Sequence, residues 1–349
     1  MILDERMKRN TLNMVLSLGF ALLLVSACKK TVQSRSDLAE FHGPTMGTSY
    51  TVKAVLTQPF AQEQIKGSID ETLKRVNKLM STYDPESELS RFNRAQGQVW
   101  FAIAPETHHV FKVAMEIGQL SGGALDITVG RLVNLWGFGP EHRRGTLPAL
   151  EALAAAMELT GWQRLKLQDE PPAVCKEKAG VYCDLAAVAK GYGVDLVAEA
   201  LAGLGISAYM VEVGGEVRAA GKRPDGQFWH LGVAVPDGSQ QVSRIINIAD
   251  MAMATSGDYQ NYYEIDGRRY SHTIDPHLGR PIGHNLASVT VLHPSCLEAD
   301  AWATALNVLG PDKGMALAEK QKLPVLFIVR EPDGFVERLS MAMNAYIKE

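Results

Sequence analysis

Asp300 and Thr304 lie four residues apart in the stretch LEADAWATALNVLG, from Leu297 to Gly310. The apolar spacing of that stretch is helical, so the two side chains share one face. A carboxylate and a hydroxyl are hard oxygen donors. Magnesium takes such donors and keeps water or substrate phosphate for the rest of its octahedron. The same pair also fits an acid near a positive helix end, followed by a back-bonded threonine.

Four other stretches gather glycine with hydroxyl, amide or acid groups at expected ends of elements, where sites are built. Thr45-Met46-Gly47-Thr48 precedes a strand, and its glycine lets backbone approach a ligand or simply turn. Ser121-Gly122-Gly123-Ala124-Leu125-Asp126-Ile127-Thr128 ends a helix and either caps it or leaves amides free for a polar ligand. Asp184 to Gly193 (DLAAVAKGYG) opens a helix whose start suits phosphate, with Lys190 adding positive charge. It is no Walker loop, because GxxxxGK[ST] is absent. Asp184 as a plain cap and Lys190 as a solvated lysine is the structural alternative. Ala254 to Tyr259 (ATSGDY) and Ser271 to Pro276 (SHTIDP) combine serine, histidine and acid without matching GxSxG. His272, near Asp275, is either a structural histidine or a general base.

These stretches must be held by ordinary elements. Apolar residues at helical spacing predict helices over 62–80, 105–120, 147–157, 184–204 and 297–310, with a further one at 315–320. Alternation predicts strands at 49–56, around Leu165 and Val181, at 208–213, 229–235, 245–248, 259–264, 287–292, 323–329 and 336–341. Asp266-Gly267 reads as the tight turn of a hairpin. Strands and helices mix without strict alternation, which favours an α+β fold in one large domain over a doubly wound sheet. No linker interrupts residues 41–349.

The N-terminus reads differently. Arg6, Lys8 and Arg9 precede a mostly apolar run, Met14 to Val25, too short for a comfortable membrane span. Val25-Ser26-Ala27-Cys28 then places small residues before a cysteine. The pattern is that of a signal peptide over 1–27 in its bacterial lipoprotein form. Cys28 is the expected acylated residue, and 28–40 a lipidated tether. The whole chain has 46% hydrophobic and 21% charged residues and a net charge of −4, the balance of a globular protein. No basic tract suggests nucleic acid. Cys175 and Cys183 flank an expected turn and could oxidise across a hairpin in an exported chain. No CxxC or Cys/His cluster suggests zinc.

Taken in order, MGTSY, SGGALDITVG, DLAAVAKGYGVD, VEVGGEVRAAG, ATSGDYQNYY, SHTIDPHLGRPI and EADAWATAL resemble the FAD:protein FMN transferases, the ApbE-type lipoproteins. The resemblance runs from about Phe41 to the C-terminus. It implies an α+β fold with a T-fold-like core. It implies a Mg²⁺-dependent reaction in which FAD is cleaved, AMP leaves and FMN is joined by a phosphoester to a threonine or serine of an acceptor protein. Acceptors of this kind are subunits of envelope electron-transport complexes, such as Na⁺-translocating NADH:quinone reductase or Rnf-type complexes. Flavin and adenine contacts are carried over to Met46, Tyr83, Ala124, Leu125, Asp126, Asp184, Lys190 and Ile274. Metal contacts are carried over to Asp300, Thr304 and the carbonyl of Ala187, where some members have Thr or Ser. His272 matches the suspected base, and Lys190 is expected to add charge at the phosphates. The lipobox agrees with an inner-membrane enzyme facing the periplasm. Two rival functions stay open: an FAD pyrophosphatase giving FMN and AMP, and a flavin-binding lipoprotein without catalysis.

Overall fold

The computed structural model describes residues 37–57, 61–141, 146–239, 241–259 and 261–347. The expected signal peptide and Cys28 lie outside them. Residues 37–349 form one compact unit.

Its frame is an eight-stranded sheet: β1 (Asp37–Thr45), β2 (Thr48–Leu56), β3 (Tyr209–Val213), β4 (Glu216–Ala220), β5 (Met251–Gly257), β6 (Leu286–His293), β7 (Val325–Glu331) and β8 (Gly334–Leu339). Spatial order equals chain order, and every neighbouring pair is antiparallel. An antiparallel sheet with helices laid on it is the α+β architecture expected. The β1–β2 hairpin turns on Met46 and Gly47, both with positive φ (46° and 72°), as a two-residue hairpin requires. Because β1 begins at Asp37, residues 37–40 belong to the sheet edge and not to the tether assigned to 28–40.

Period-two patterning divides the sheet's faces. On β7, Val325, Phe327 and Val329 join the core under the helices. Leu326 and Ile328 join a second core under the hairpin of Trp229–Ala234 and Val242–Ile248. Burial on both faces explains why β6 reads as a nearly continuous apolar run.

Four helices matter for the site: α1 (Gln62–Met80), α2 (Pro105–Leu120), α3 (Ala186–Gly203) and α4 (Cys296–Gln321). In α1, Ile65, Ile69, Leu73, Val76 and Met80 face the core at the expected spacing. Helix α3 packs against α4, and α4 lies on β5 and β6. At Gly310 (φ 76°, ψ −177°), followed by Pro311, α4 breaks into two helical halves, matching the separate helices expected there.

Two expectations fail. No strand forms at Val181; the partner of Leu165–Gln168 is Ala173–Lys176. With no hairpin there, Cys175 and Cys183 do not pair, and both are free thiols. Instead Asn93 clamps Cys183, accepting from its N–H at 2.8 Å and donating to its carbonyl at 2.8 Å.

Candidate active site

The site grows from one close approach. A Cβ on Gly191 would lie 2.3 Å from the Cys296 carbonyl oxygen and 2.8 Å from Asp300 Cβ. Only glycine lets α3 and α4 meet there. The Gly191 N–H donates to Asp300 Oδ2 at 3.0 Å. In a regular helix that amide faces the carbonyl four residues earlier, which is Ala187. The Ala187 carbonyl and the Asp300 carboxylate are thus brought to the same stretch of α3. Thr304 follows one turn along α4 and is half-buried.

Asp195, one turn past Gly191 on α3, fixes the start of α4. It accepts from Ser295 Oγ (2.8 Å) and from the Cys296 and Leu297 amides (both 3.0 Å), and it pairs with Arg218 at 2.6 Å. Two of these four donors are first-turn amides of α4 that would otherwise be orphaned.

Lys190 Nζ lies 2.7 Å from Glu216 Oε2, at the start of β4. Burial opposes the ammonium charge, yet the Asp300 and Glu216 carboxylates outweigh it and hold Lys190 protonated beyond its ordinary range. Burial pushes the Glu216 carboxyl up against the pull of Lys190. It pushes Asp300 up as well, against Lys190 and the Gly191 amide. One ammonium therefore faces two buried acids. The Met46 turn closes this group from the strand side. A Cβ on Gly193 would meet Met46 Cε at 2.9 Å, and one on Gly214 would meet Thr48 Cγ2 at 2.8 Å and Lys190 Cδ at 3.2 Å.

His272 follows the hairpin of Tyr262–Ile265 and Arg268–Ser271. Its Nδ1 lies 3.1 Å from the Asn261 carbonyl. A carbonyl only accepts, so Nδ1 carries the proton and Nε2 is left as a free base. Burial holds its pKa below the ordinary histidine range, and the Lys190 charge adds to this against the Asn261 bond. The sequence suggested Asp275 as the group orienting His272. Instead the Asp275 carboxylate accepts from the His277 and Leu278 amides and lies 3.5 Å from His277 Nδ1, because a turn after Asp275 folds those amides back onto it. The ring of His272 meets Phe138 edge-on at 6.3 Å. Phe138 also accepts from the Tyr83 hydroxyl at 3.3 Å, and it heads a stack through Tyr263 and Tyr270 to Trp136.

The remaining expected positions are more structural than ligand-facing in their side chains. Asp126 accepts from the Thr128 amide (2.8 Å), Thr128 Oγ1 (2.6 Å) and the Trp162 amide (2.9 Å). Ala124, Leu125 and Ile274 are buried in the core, so a ligand there would meet mainly main chain. Asp184 accepts from the Ala186 amide at the start of α3, and its own N–H donates to the Ile127 carbonyl, which ties the second and third motifs together. Ser256, the serine beside Gly257 in the ATSGDY stretch, accepts from Asn307 Nδ2 at 3.0 Å, and neighbouring Asp258 is engaged by Arg330. Sequence reasoning missed Glu216 and Asp195, though both sit inside quoted motifs. An acid beside a glycine pair, or facing inward on a helix, was the available signal. Among the described residues no cluster of three His, Cys, Asp or Glu side chains suits a metal.

The ApbE family pattern matches residues 46–327. The chain belongs to the ApbE family. It is 44% identical over 331 residues to the FAD:protein FMN transferase of Vibrio cholerae, covering 94% of this chain and 97% of that one. The flavin transferase ApbE structure from Vibrio cholerae superposes with a TM-score of 0.83 at 44% identity, over 89% of this chain and all of that one. The ApbE protein of Thermotoga maritima gives 0.81 at 30% identity, over 90% of this chain and all of that one. The mixed α/β single domain of the ApbE structures is thus the fold of this chain.

Proposed function

We propose that this chain is an FAD:protein FMN transferase that moves FMN from FAD to a threonine or serine hydroxyl of an acceptor protein, with release of AMP. The observation that carries it is the meeting of Ala187, Lys190 and Asp300 across Gly191, in a member of a family whose relatives bear that name.

The residues fit a magnesium ion. With both ionised, the buried carboxylates of Glu216 and Asp300 would outnumber the single ammonium of Lys190, an imbalance that a divalent cation would offset. Asp300, Thr304 and the Ala187 carbonyl would hold it, all with hard oxygen atoms. Bound there, the ion would neutralise charge on pyrophosphate oxygens and orient them.

The chain's own groups do the rest. Lys190, fixed by Glu216, presents a permanent positive charge to the phosphates. The Met46 turn and the Ala124–Asp126 backbone would border the dinucleotide. His272 Nε2 takes the proton of the acceptor hydroxyl as its oxygen bonds to the flavin-side phosphorus. The bond from that phosphorus to the bridging oxygen breaks, and AMP leaves with that oxygen. Phosphoryl transfer of this kind asks for positioning more than for an enzyme nucleophile.

We further place the enzyme at the bacterial inner membrane, facing the periplasm and held by an acylated Cys28, with envelope electron-transport subunits as acceptors. The sequence features of residues 1–28 support this. No helix among the described residues is long and apolar enough to cross a membrane.

The test mixes the protein, from residue 29 onward, with FAD, Mg²⁺ and candidate subunits. Flavin fluorescence on the acceptor band of a denaturing gel, with matching AMP and loss of both in EDTA, is expected. FMN and AMP free in solution with no labelled band would replace transfer by hydrolysis. Bound FAD without AMP would leave a flavin-binding protein.

A further inference from the structure

One concavity among the described residues does not sit on Lys190 and Asp300. It is a cavity of about 490 Å³ along α1, floored by Tyr50 and Leu73 and edged by Thr45, Lys74, Lys78 and Asp84. Both of its rims lead to the chemistry. Thr45 opens the Met46 turn, whose Thr48 lies with Lys190 around Gly214. Met46 itself sits near Gly193 of α3, and so does Leu73, from the cavity floor. On the other side Asp84 follows Tyr83, which bonds Phe138, whose ring touches His272. A chain lying in this cavity would run up to the catalytic groups from either end.

Its chemistry is specific. Within it Lys66 is spent on Asp70 at 2.7 Å and on the Tyr50 hydroxyl at 3.1 Å. Lys74 and Lys78 stand one helical turn apart on the exposed edge, with no ion pair among the described residues. Thr45 Oγ1 is buried without a hydrogen-bond partner, an unmet polar group in the wall. With Lys66 and Asp70 paired, Lys74 and Lys78 outnumber the single carboxylate of Asp84, and this excess of positive charge beside a polar wall suits an extended segment bearing carboxylates.

We infer that this cavity docks an acidic segment of the acceptor protein and feeds its hydroxyl towards His272. The inference rests on the transferase reading, which requires a protein to approach the flavin. The occupant is the acceptor and not the dinucleotide, because the residues carried over for flavin contact border the cavity without lining it.

The experiment is steady-state transfer by the mature wild-type protein and by the double variant Lys74→Glu/Lys78→Glu, varying acceptor and FAD separately. Both lysines are exposed, so folding should survive, as an unchanged melting temperature would show. KM for the acceptor should rise roughly tenfold or more, with stronger salt dependence in wild type than in the variant. The FAD KM and the rate at saturating acceptor should stay within about twofold. An unchanged acceptor KM would overturn the docking site while leaving the transferase standing. A raised FAD KM would also overturn it, by assigning the cavity to the dinucleotide. A wild-type protein that labels no acceptor would remove both readings together.

Discussion

Lys190 stands between two acids with different work. Asp300 would face the metal, whereas Glu216 only holds the ammonium in place. Glu216→Gln keeps the shape and removes the charge. Breaking a buried pair strands its partner, at a cost of about 3 kcal/mol. Urea unfolding should report that loss, and FAD-dependent AMP release should fall while the α3–α4 contact survives. His272 makes a prediction about pH. Burial and Lys190 favour its neutral form, and only the neutral ring accepts a proton. Transfer should therefore persist as pH falls through the ordinary histidine range, near 6.5, and fail only below it. A pH–rate profile with its acidic limb at or above that value would contradict the assignment, and His272→Gln should abolish the limb. At this scale the motifs made Asp300, Thr304 and Lys190 legible in the sequence. Glu216 and Asp195 were not, because their meaning lies in partners on other elements. A sequence shows that an acid follows two glycines, but not that a lysine from a distant helix ends 2.7 Å away.

The helices carry the site because they touch, and they touch through a missing side chain. Gly191→Ala would drive a methyl into the Cys296 carbonyl and Asp300 Cβ. Overpacking of this kind costs about 1–3 kcal/mol. Here it should also separate Ala187 from Asp300, so Mg²⁺-dependent turnover should fall further than the melting temperature suggests. Asp195→Ala should act on the same pair from the other end, by releasing the start of α4 and stranding Arg218. Most helices were readable from periodicity, since α1 and α2 present clear apolar stripes. β1 and β5 were harder. Asp37–Thr45 is a half-exposed edge strand with Gly and Pro near its end, and Met251–Gly257 mixes two methionines with small residues and has no contrasting pattern. Both are strands because neighbours supply their hydrogen bonds, which is tertiary context overriding propensity.

For the molecule as a whole, a metal bound only by the folded state must raise stability by mass action. Mg²⁺ should raise the melting temperature of the wild type, and EDTA should reverse the shift. Asp300→Ala should lose the shift while remaining folded. A wild-type curve indifferent to Mg²⁺ would argue against the donor set of Asp300, Thr304 and Ala187.

The sheet's simple order has a kinetic consequence. Strands β3 and β4, or β7 and β8, join across tight turns, but β2 reaches β3 only after the chain has run from residue 57 to 208. Closing so long a loop costs about 3 kcal/mol more in chain entropy than closing a four-residue one. The β2–β3 seam should thus be late to form and early to open, taking the β1–β2 hairpin with it. Amides of β2 and β3 that bond across that seam, such as those around Val52 and Val211, should exchange with solvent faster than those joining β6 to β7. The Met46 turn belongs to the hairpin on the loose side, so its closure over Lys190 would be the last contact made and the first undone.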